Sequence, residues 1–269
     1  MNKKCPIPFS SLEIMRKTNV NDNEIKYIAQ CIQTHCQFVN SWDDLPDHVV
    51  RTVSKKSGKN KVIEDFINKV KNNPQIRCVH SVATNQVQQG DDWITTSSRK
   101  TINELNNFLH EPEEITLYKG AIVSLTYNNI SVDSRHTFSQ GQLAVINDIP
   151  EDFVPLQSSI NVSIVPPGER NVTTANDSWP KLDIKAHESV SVAVGSNCLM
   201  GRRIQYPFSH FFCSTIYKAI SQTLPEVGIQ LSDNSNFKIW ERMMFTVEIS
   251  RTRYLRNVWF VGERNNILK

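Results

Sequence analysis

The segment SHFFCSTIYKAISQTLPEVGIQLS, residues 209–232, changes hydrophobic period twice. SHFFCSTI is an apolar run of strand length, YKAISQTL has helical spacing and is stopped by Pro225, and VGIQLS returns to a strand. Downstream, KIWERMMFTVEIS (238–250) predicts a longer helix with Ile239, Met243 and Val247 on one face, and VWFVG, ending at Gly262, predicts a last strand. Strand, helix, strand, helix, strand is the grammar of an open, mostly parallel sheet, so the chain is predicted to be an α/β protein.

Working upstream, the period becomes two between Glu114 and Pro150. ITLYKGAIVSLTYNN (115–129) and QGQLAVINDIP (140–150) read as half-buried strands, and INVSIVPPG and KLDIKAHESVSVAV continue the pattern. Many short strands predict a small β-barrel-like module at 115–204, inserted into an α/β domain made of 93–114 and 205–269. WITTSSRKTINELNNFLH (93–110) reads as strand, turn and helix, with Ser97 or Ser98 as N-cap and Ile102, Leu105 and Leu109 on one face.

Residues 1–92 are predicted to be mainly helical. Ile25, Ile28, Ala29 and Ile32 recur at helical spacing after Asn21 or Asn23, either of which can cap. Val62, Ile63, Phe66, Ile67 and Val70 do the same before Asn72-Asn73-Pro74. Between them run Arg51, Lys55, Lys56, Lys59 and Lys61, which fit a nucleic-acid contact, an import signal or a solvated loop.

The chain has 269 residues, with 30 Lys plus Arg against 27 Asp plus Glu, a net charge of +3 too small to announce a nucleic-acid binder. Its distribution says more: residues 1–100 sum to +5, 101–200 to −7 and 201–269 to +5, so phosphate contacts are expected at the ends. No window reaches the ~18 apolar residues of a membrane span, and MNKKCPIPFSSLEIMRK lacks an apolar signal core. The expected location is intracellular, nuclear or cytoplasmic, with no membrane partner. The six scattered cysteines then read as reduced thiols; Cys31, His35 and Cys36 lack a second ligand pair, and no metal site is expected.

Chemistry in such sheets gathers at the carboxyl ends of strands. Ser214 and Thr215 close one strand and Lys218 opens the next helix, which suits either a phosphate cradle or a simple N-cap. Ser250-Arg251-Thr252-Arg253 follows a helix. A cation there either complements the helix dipole or reaches out as an arginine finger. A nucleotide-binding P-loop is missing: at Gly58-Lys59, the sole Gly-Lys pair, Val53 stands for the first glycine and Asn60 for the Ser/Thr. Neither G-x-S-x-G nor H-E-x-x-H occurs.

These motifs together resemble the C-terminal half of a superfamily-1 DNA helicase of the Pif/RecD-like branch, over about residues 93–269. STIYKAISQTL (214–224) resembles the family's T-I-H-K-S-Q-G-x-T-L block, matching at Thr215, Ile216, Lys218, Thr223 and Leu224. WERMMFTVEISRTRYLRNVWFVG (240–262) resembles its Y-V-A-L-S-R block, with Ser250 and Arg251 on the S-R pair. YKGAIVSLTYNN and FSQGQLAVINDIP resemble two strands of the family's inserted barrel, and TTSSRKTINELN resembles the entry to the second RecA-like domain.

The resemblance implies a RecA-like parallel sheet domain interrupted by a small barrel. It implies that Ser214, Thr215, Tyr217 and Lys218 contact single-stranded DNA or RNA, with Tyr217 available for stacking, and that Arg251 serves as a finger toward γ-phosphate. The chain departs from the family at Tyr217 for His, Ala219 for Ser, Ile220 for Gln, Ser221 for Gly and Ala144 for the barrel's second Gly. The P-loop domain has no counterpart, so no cofactor is expected on this chain alone, and ATP and magnesium only with a P-loop RecA-like partner in trans. Two functions follow as expectations: a helicase-like fragment that binds single strands and completes an ATPase site in trans, or a degenerate, non-catalytic module for nucleic-acid or protein interaction.

Overall fold

The structure, a computed structural model, describes residues 13–14, 17, 19, 21–46, 48–129, 137–166, 169, 172, 175–194, 199–216, 224, 226–230, 246–247, 249–252 and 254–262. In chain order the elements begin with α1 (Asp22–His35), β1 (Gln37–Val39), a 3-10 turn (Trp42–Asp44), β2 (Val50–Val53) and α2 (Lys56–Lys71). Then follow β3 (Cys78–Val82), β4 (Thr84–Gln89), β5 (Asp92–Thr95), α3 (Arg99–Phe108), β6 (Glu114–Tyr118), β7 (Ile122–Leu125) and β8 (Leu143–Asp148). The rest are β9 (Ile160–Ile164), β10 (Lys181–Ile184), β11 (His187–Val194), β12 (Leu199–Gln205), β13 (Phe208–His210), β14 (Cys213–Thr215), β15 (Val227–Gln230), a 3-10 turn (Leu255–Asn257) and β16 (Val258–Val261). They divide into two units, residues 1–66 with 212–269, and residues 67–211.

The first unit is built on a five-stranded sheet in the order β1-β16-β15-β2-β14, with every pairing parallel. Such strands are covered on both faces, which is why Val50, Val53, Val227, Ile229, Val258 and Phe260 are all buried without polar alternation. Neighbouring strands β2 and β14 are the two ends of the excursion the chain makes through the second unit. Helix α1 starts where the sequence puts a cap: Asn21 Oδ1 accepts from the Glu24 amide at 3.0 Å, and Glu24 Oε2 accepts from the Asn21 amide at 3.1 Å. Its Ala29 and Ile32 are buried, as the spacing predicts.

One glycine in this sheet is there for space. A Cβ on Gly228 would meet Leu45 Cδ1 at 2.8 Å, Trp42 Cζ3 at 3.3 Å and Val49 Cγ1 at 3.5 Å. Gly228→Val is expected to cost about 1–3 kcal/mol by overpacking, read as a lower urea midpoint. An unchanged midpoint would show that the Leu45–Trp42 cover moves freely.

The second unit is antiparallel. One sheet runs β10-β9-β8-β7-β13, a second runs β11-β12-β4-β5, and β3 pairs with β6. The core on the first sheet includes Leu117, Val123, Leu125, Ile160, Val162, Tyr206 and Phe208. Helix α3 packs on β11 and β12 and buries Ile102 and Leu105. Among the described residues no helix is long and apolar enough to cross a membrane.

Three expectations change. Residues 1–92 hold both expected helices but also β1 and β2 of the parallel sheet, as well as β3 and β4. β2, buried at all four positions, shows no period and Arg51 interrupts its apolar run, while β1 is three residues long. Residues 93–114 join the second unit, because β5 pairs antiparallel with β4 rather than entering the parallel sheet. The antiparallel unit spans 67–211, wider than the expected 115–204, and among the described residues its strands lie in sheets of five, four and two. Finally, SHFFCSTI is two strands: β13 pairs with β7, and β14 pairs with β2. An apolar run without Gly or Pro carries no mark of such a break.

Candidate nucleic-acid interface

In the first unit the carboxyl ends of β2 and β14 lie side by side, with Val53 in register with Thr215. Beyond Val53 the chain turns through Ser54 and Lys55 into α2, whose first bond runs from the Lys59 amide to the Lys55 carbonyl at 3.1 Å. Ser54 and Gly58 are buried, while Lys55, Lys56 and Ser57 are exposed. The first turn of α2 holds no acidic residue. Lysines here add to the positive end of the helix dipole, and helix N-termini of this kind suit anions. The unit as a whole carries 18 Lys plus Arg against 13 Asp plus Glu, net +5, whereas the second unit carries 12 against 14, net −2. The positive charge therefore collects on the unit that owns this edge.

Ser214 and Thr215 stand at the end of β14. Ser214 is buried, and its hydroxyl donates to the Thr215 carbonyl at 3.3 Å; Thr215 is half-buried. Tyr217 and Lys218 lie outside the described residues, as do Ala219, Ile220 and Ser221. In the middle of the same edge, Gln230 at the end of β15 has a buried side-chain oxygen that accepts no hydrogen bond among the described residues. Cys213, just before Ser214, is buried, and burial pushes its thiol up to about 12 although Lys59 and Arg51 pull the other way.

Arg51 is not part of this surface. It is buried in β2, where Nη1 donates to the Val49 carbonyl at 3.2 Å and Nη2 to the Trp42 carbonyl at 3.4 Å, with the guanidinium 5.6 Å from the Phe66 ring centre. Of the basic run, then, the lysines and not the arginine line the edge. Sequence reasoning left Lys55, Lys56 and Lys59 among three alternatives. Their place after β2, at the carboxyl edge of the sheet, is something composition alone does not show.

Arg251 is half-buried at the end of a helical turn containing Thr246, Val247 and Ile249. Its Nε donates to the Val247 carbonyl at 3.0 Å and its Nη2 to Ser250 Oγ at 2.8 Å, while Ser250 Oγ donates to the same Val247 carbonyl at 2.7 Å. A cation over the last carbonyls of a helix is the dipole-complementing arrangement. The two helicase-like blocks are also joined directly, since the Leu224 amide donates to the Arg251 carbonyl at 2.8 Å. Among the described residues no three His, Cys, Asp or Glu side chains cluster to hold a metal ion.

No protein-family model matches the chain, and no curated protein matches it by sequence. Solved structures do. A Pif1 helicase from Candida albicans aligns with a TM-score of 0.66 at 14% identity, covering 96% of this chain and 54% of that one. The chain has a Pif1-like fold. Bacteroides Pif1 bound to ssDNA aligns with a TM-score of 0.56 at 14% identity over 96% of this chain and 49% of that one. A Bacteroides Pif1 helicase in complex with ADP-AlF3 and ssDNA gives 0.58 at 14% identity, with 96% and 49% covered. The chain spans about half the length of the Pif1 structures it matches.

Proposed function

We propose that this chain is a helicase-like module that binds single-stranded nucleic acid along the carboxyl edge of its parallel sheet. The observation that carries the reading is the Pif1-like fold over 96% of the chain, two of the matching structures being described as holding ssDNA. The chain corresponds in this reading to the second RecA-like domain with its insertion. The strand backbone runs over the lysine-rich start of α2 and the end of β14, with Thr215, Tyr217 and Lys218 contacting it. Because no P-loop sequence occurs, ATP turnover with magnesium is proposed only where a P-loop RecA-like domain joins in trans.

A second, non-catalytic reading is favoured by one observation. The guanidinium of Arg251 is turned back onto the Val247 carbonyl and Ser250 hydroxyl, so acting as a finger would require breaking both bonds. The substitutions at 217 and 219–221 point the same way.

Binding is tested by fluorescence anisotropy of a labelled single strand of ~15 nucleotides, within typical single-strand site sizes. Lys218→Ala and Lys56→Ala are each expected to weaken binding and to reduce the salt slope by about 0.7, the single-strand value per phosphate contact. A slope unchanged in both variants would remove the sheet edge from the binding surface.

A further inference from the structure

A cavity of about 480 Å³ lies wholly within the second unit, far along the chain from the motifs used above. Two of its lining residues, Tyr127 and His187, stack face to face, with ring centres 3.9 Å apart and planes 2° from parallel. Phe138, also in the lining, meets Tyr127 edge-on at 5.2 Å and 82°. The platform is held from below: Asn129 and Phe138 exchange amide-to-carbonyl bonds of 2.9 and 3.2 Å, fixing the chain on either side of Tyr127 and Phe138. Burial, with the charge of Glu111 adding to it, raises the Tyr127 phenol, which stays a neutral donor.

The lining also includes β10 and, after it, Lys185 and Ala186. Among the described residues β10 is an edge strand, paired with β9 alone. Lys181 is tied to Asp177 at 3.2 Å in an exposed pair, and Asp183 accepts from Asn161 Nδ2 at 2.8 Å. Lys185, exposed on the rim, has no ion-pair partner among the described residues.

We infer that this cavity binds a nucleotide, with the base laid on the Tyr127–His187 stack and the phosphate on Lys185. The volume falls in the range of small-molecule sites. A preformed pair of parallel aromatic planes favours a third flat ring, since base-on-aromatic stacking tolerates any base. An inorganic anion would use the lysine but not the rings, and a purely apolar ligand would leave the charged rim unused. The same chemistry has two sources, a free nucleotide or one nucleotide of a single strand. The inference does not rest on the sheet edge of the first unit, and either reading can fail alone.

The test uses the full chain with adenosine 5′-monophosphate, followed by ligand-observed NMR, and the labelled single strand, followed by anisotropy in a Lys218→Ala background. Tyr127 also packs on the core, so the informative variants are Lys185→Glu and His187→Ala. Binding of the mononucleotide that falls about tenfold in either variant, the scale of one lost stacked base, supports the site with a free nucleotide as its ligand. No mononucleotide binding, but strand binding that falls by a similar factor in both variants, supports the site with a strand as its source. Indifference of both probes to both variants overturns the inference, and so does saturable binding of a proline-rich or acidic peptide in place of either probe.

Discussion

Arg203→Ala is expected to lower the stability of the second unit by about 3–5 kcal/mol, the usual cost of removing one member of a buried charged set. Arg203 on β12 is wholly buried. Its Nε donates to Asn85 Oδ1 and its Nη1 to the Glu111 carbonyl, both at 2.8 Å. Burial pushes the guanidinium below its ordinary range, and the charges of Glu113 and Glu111 pull it back. Glu111 is itself 3% exposed and accepts from Thr126 Oγ1 at 2.6 Å. Alanine would leave two buried acceptors without donors and a buried carboxyl without its nearby cation.

The measurement is urea unfolding of the full chain followed through both units. A loss below about 1 kcal/mol would mean that the guanidinium contributes no more than an exposed one. The Arg203→Ala, Glu111→Ala double-mutant cycle then separates their coupling from lost packing. One guanidinium nitrogen, Nη2, accompanies this set without a hydrogen bond among the described residues. Desolvating it costs stability and is offset only while the other bonds hold.

The same strand shows why part of the fold was hidden in the sequence. Arg203 and Gln205 sit two apart on β12 and so share its inward face. Gln205 Oε1 accepts from Ser81 Oγ at 2.9 Å and from the Tyr206 amide at 3.0 Å. A reader of LMGRRIQ turns such residues outward, because an isolated polar side chain does not reveal its partners on other strands. Helices were legible for the opposite reason: the Asn21 cap, the Ile28–Ile32 face and the Asn72-Asn73-Pro74 stop are all local. β15 and β16 were legible as apolar runs bounded by turn residues, whereas β1 and β2 were too short, and Arg51 too buried, for pattern alone. At the sheet edge, the grammar of strand followed by helix placed Ser214 and Thr215 correctly at the end of a strand. It could not show that the lysine run of α2 starts at the neighbouring strand, since Val53 and Thr215 are 162 positions apart and meet only through pairing. For Arg251 the sequence left two alternatives, and its bonds to the Val247 carbonyl and Ser250 hydroxyl, four and one positions away, were not legible in either.

Alkaline pH is expected to weaken the first unit steeply, through two thiols that carry no catalytic role. Cys36 and Cys213 are both buried and free, and burial raises each to about 12. In the unfolded chain a thiol titrates near about 8.5. Below that value both states keep both protons and stability is flat. From there to about 12 the unfolded chain has released protons that the folded chain retains, so unfolding is favoured by about 1.4 kcal/mol per pH unit for each thiol. Going from about pH 9 to about pH 11 therefore removes roughly 5 kcal/mol for the pair, a large share of the total stability of a typical domain. Urea midpoints across that range should fall, and Cys213→Ala should roughly halve the slope. A slope indifferent to both Cys36→Ala and Cys213→Ala would place its origin elsewhere, and Tyr206 in the second unit, pushed to about 12 by burial, would be the next group to replace.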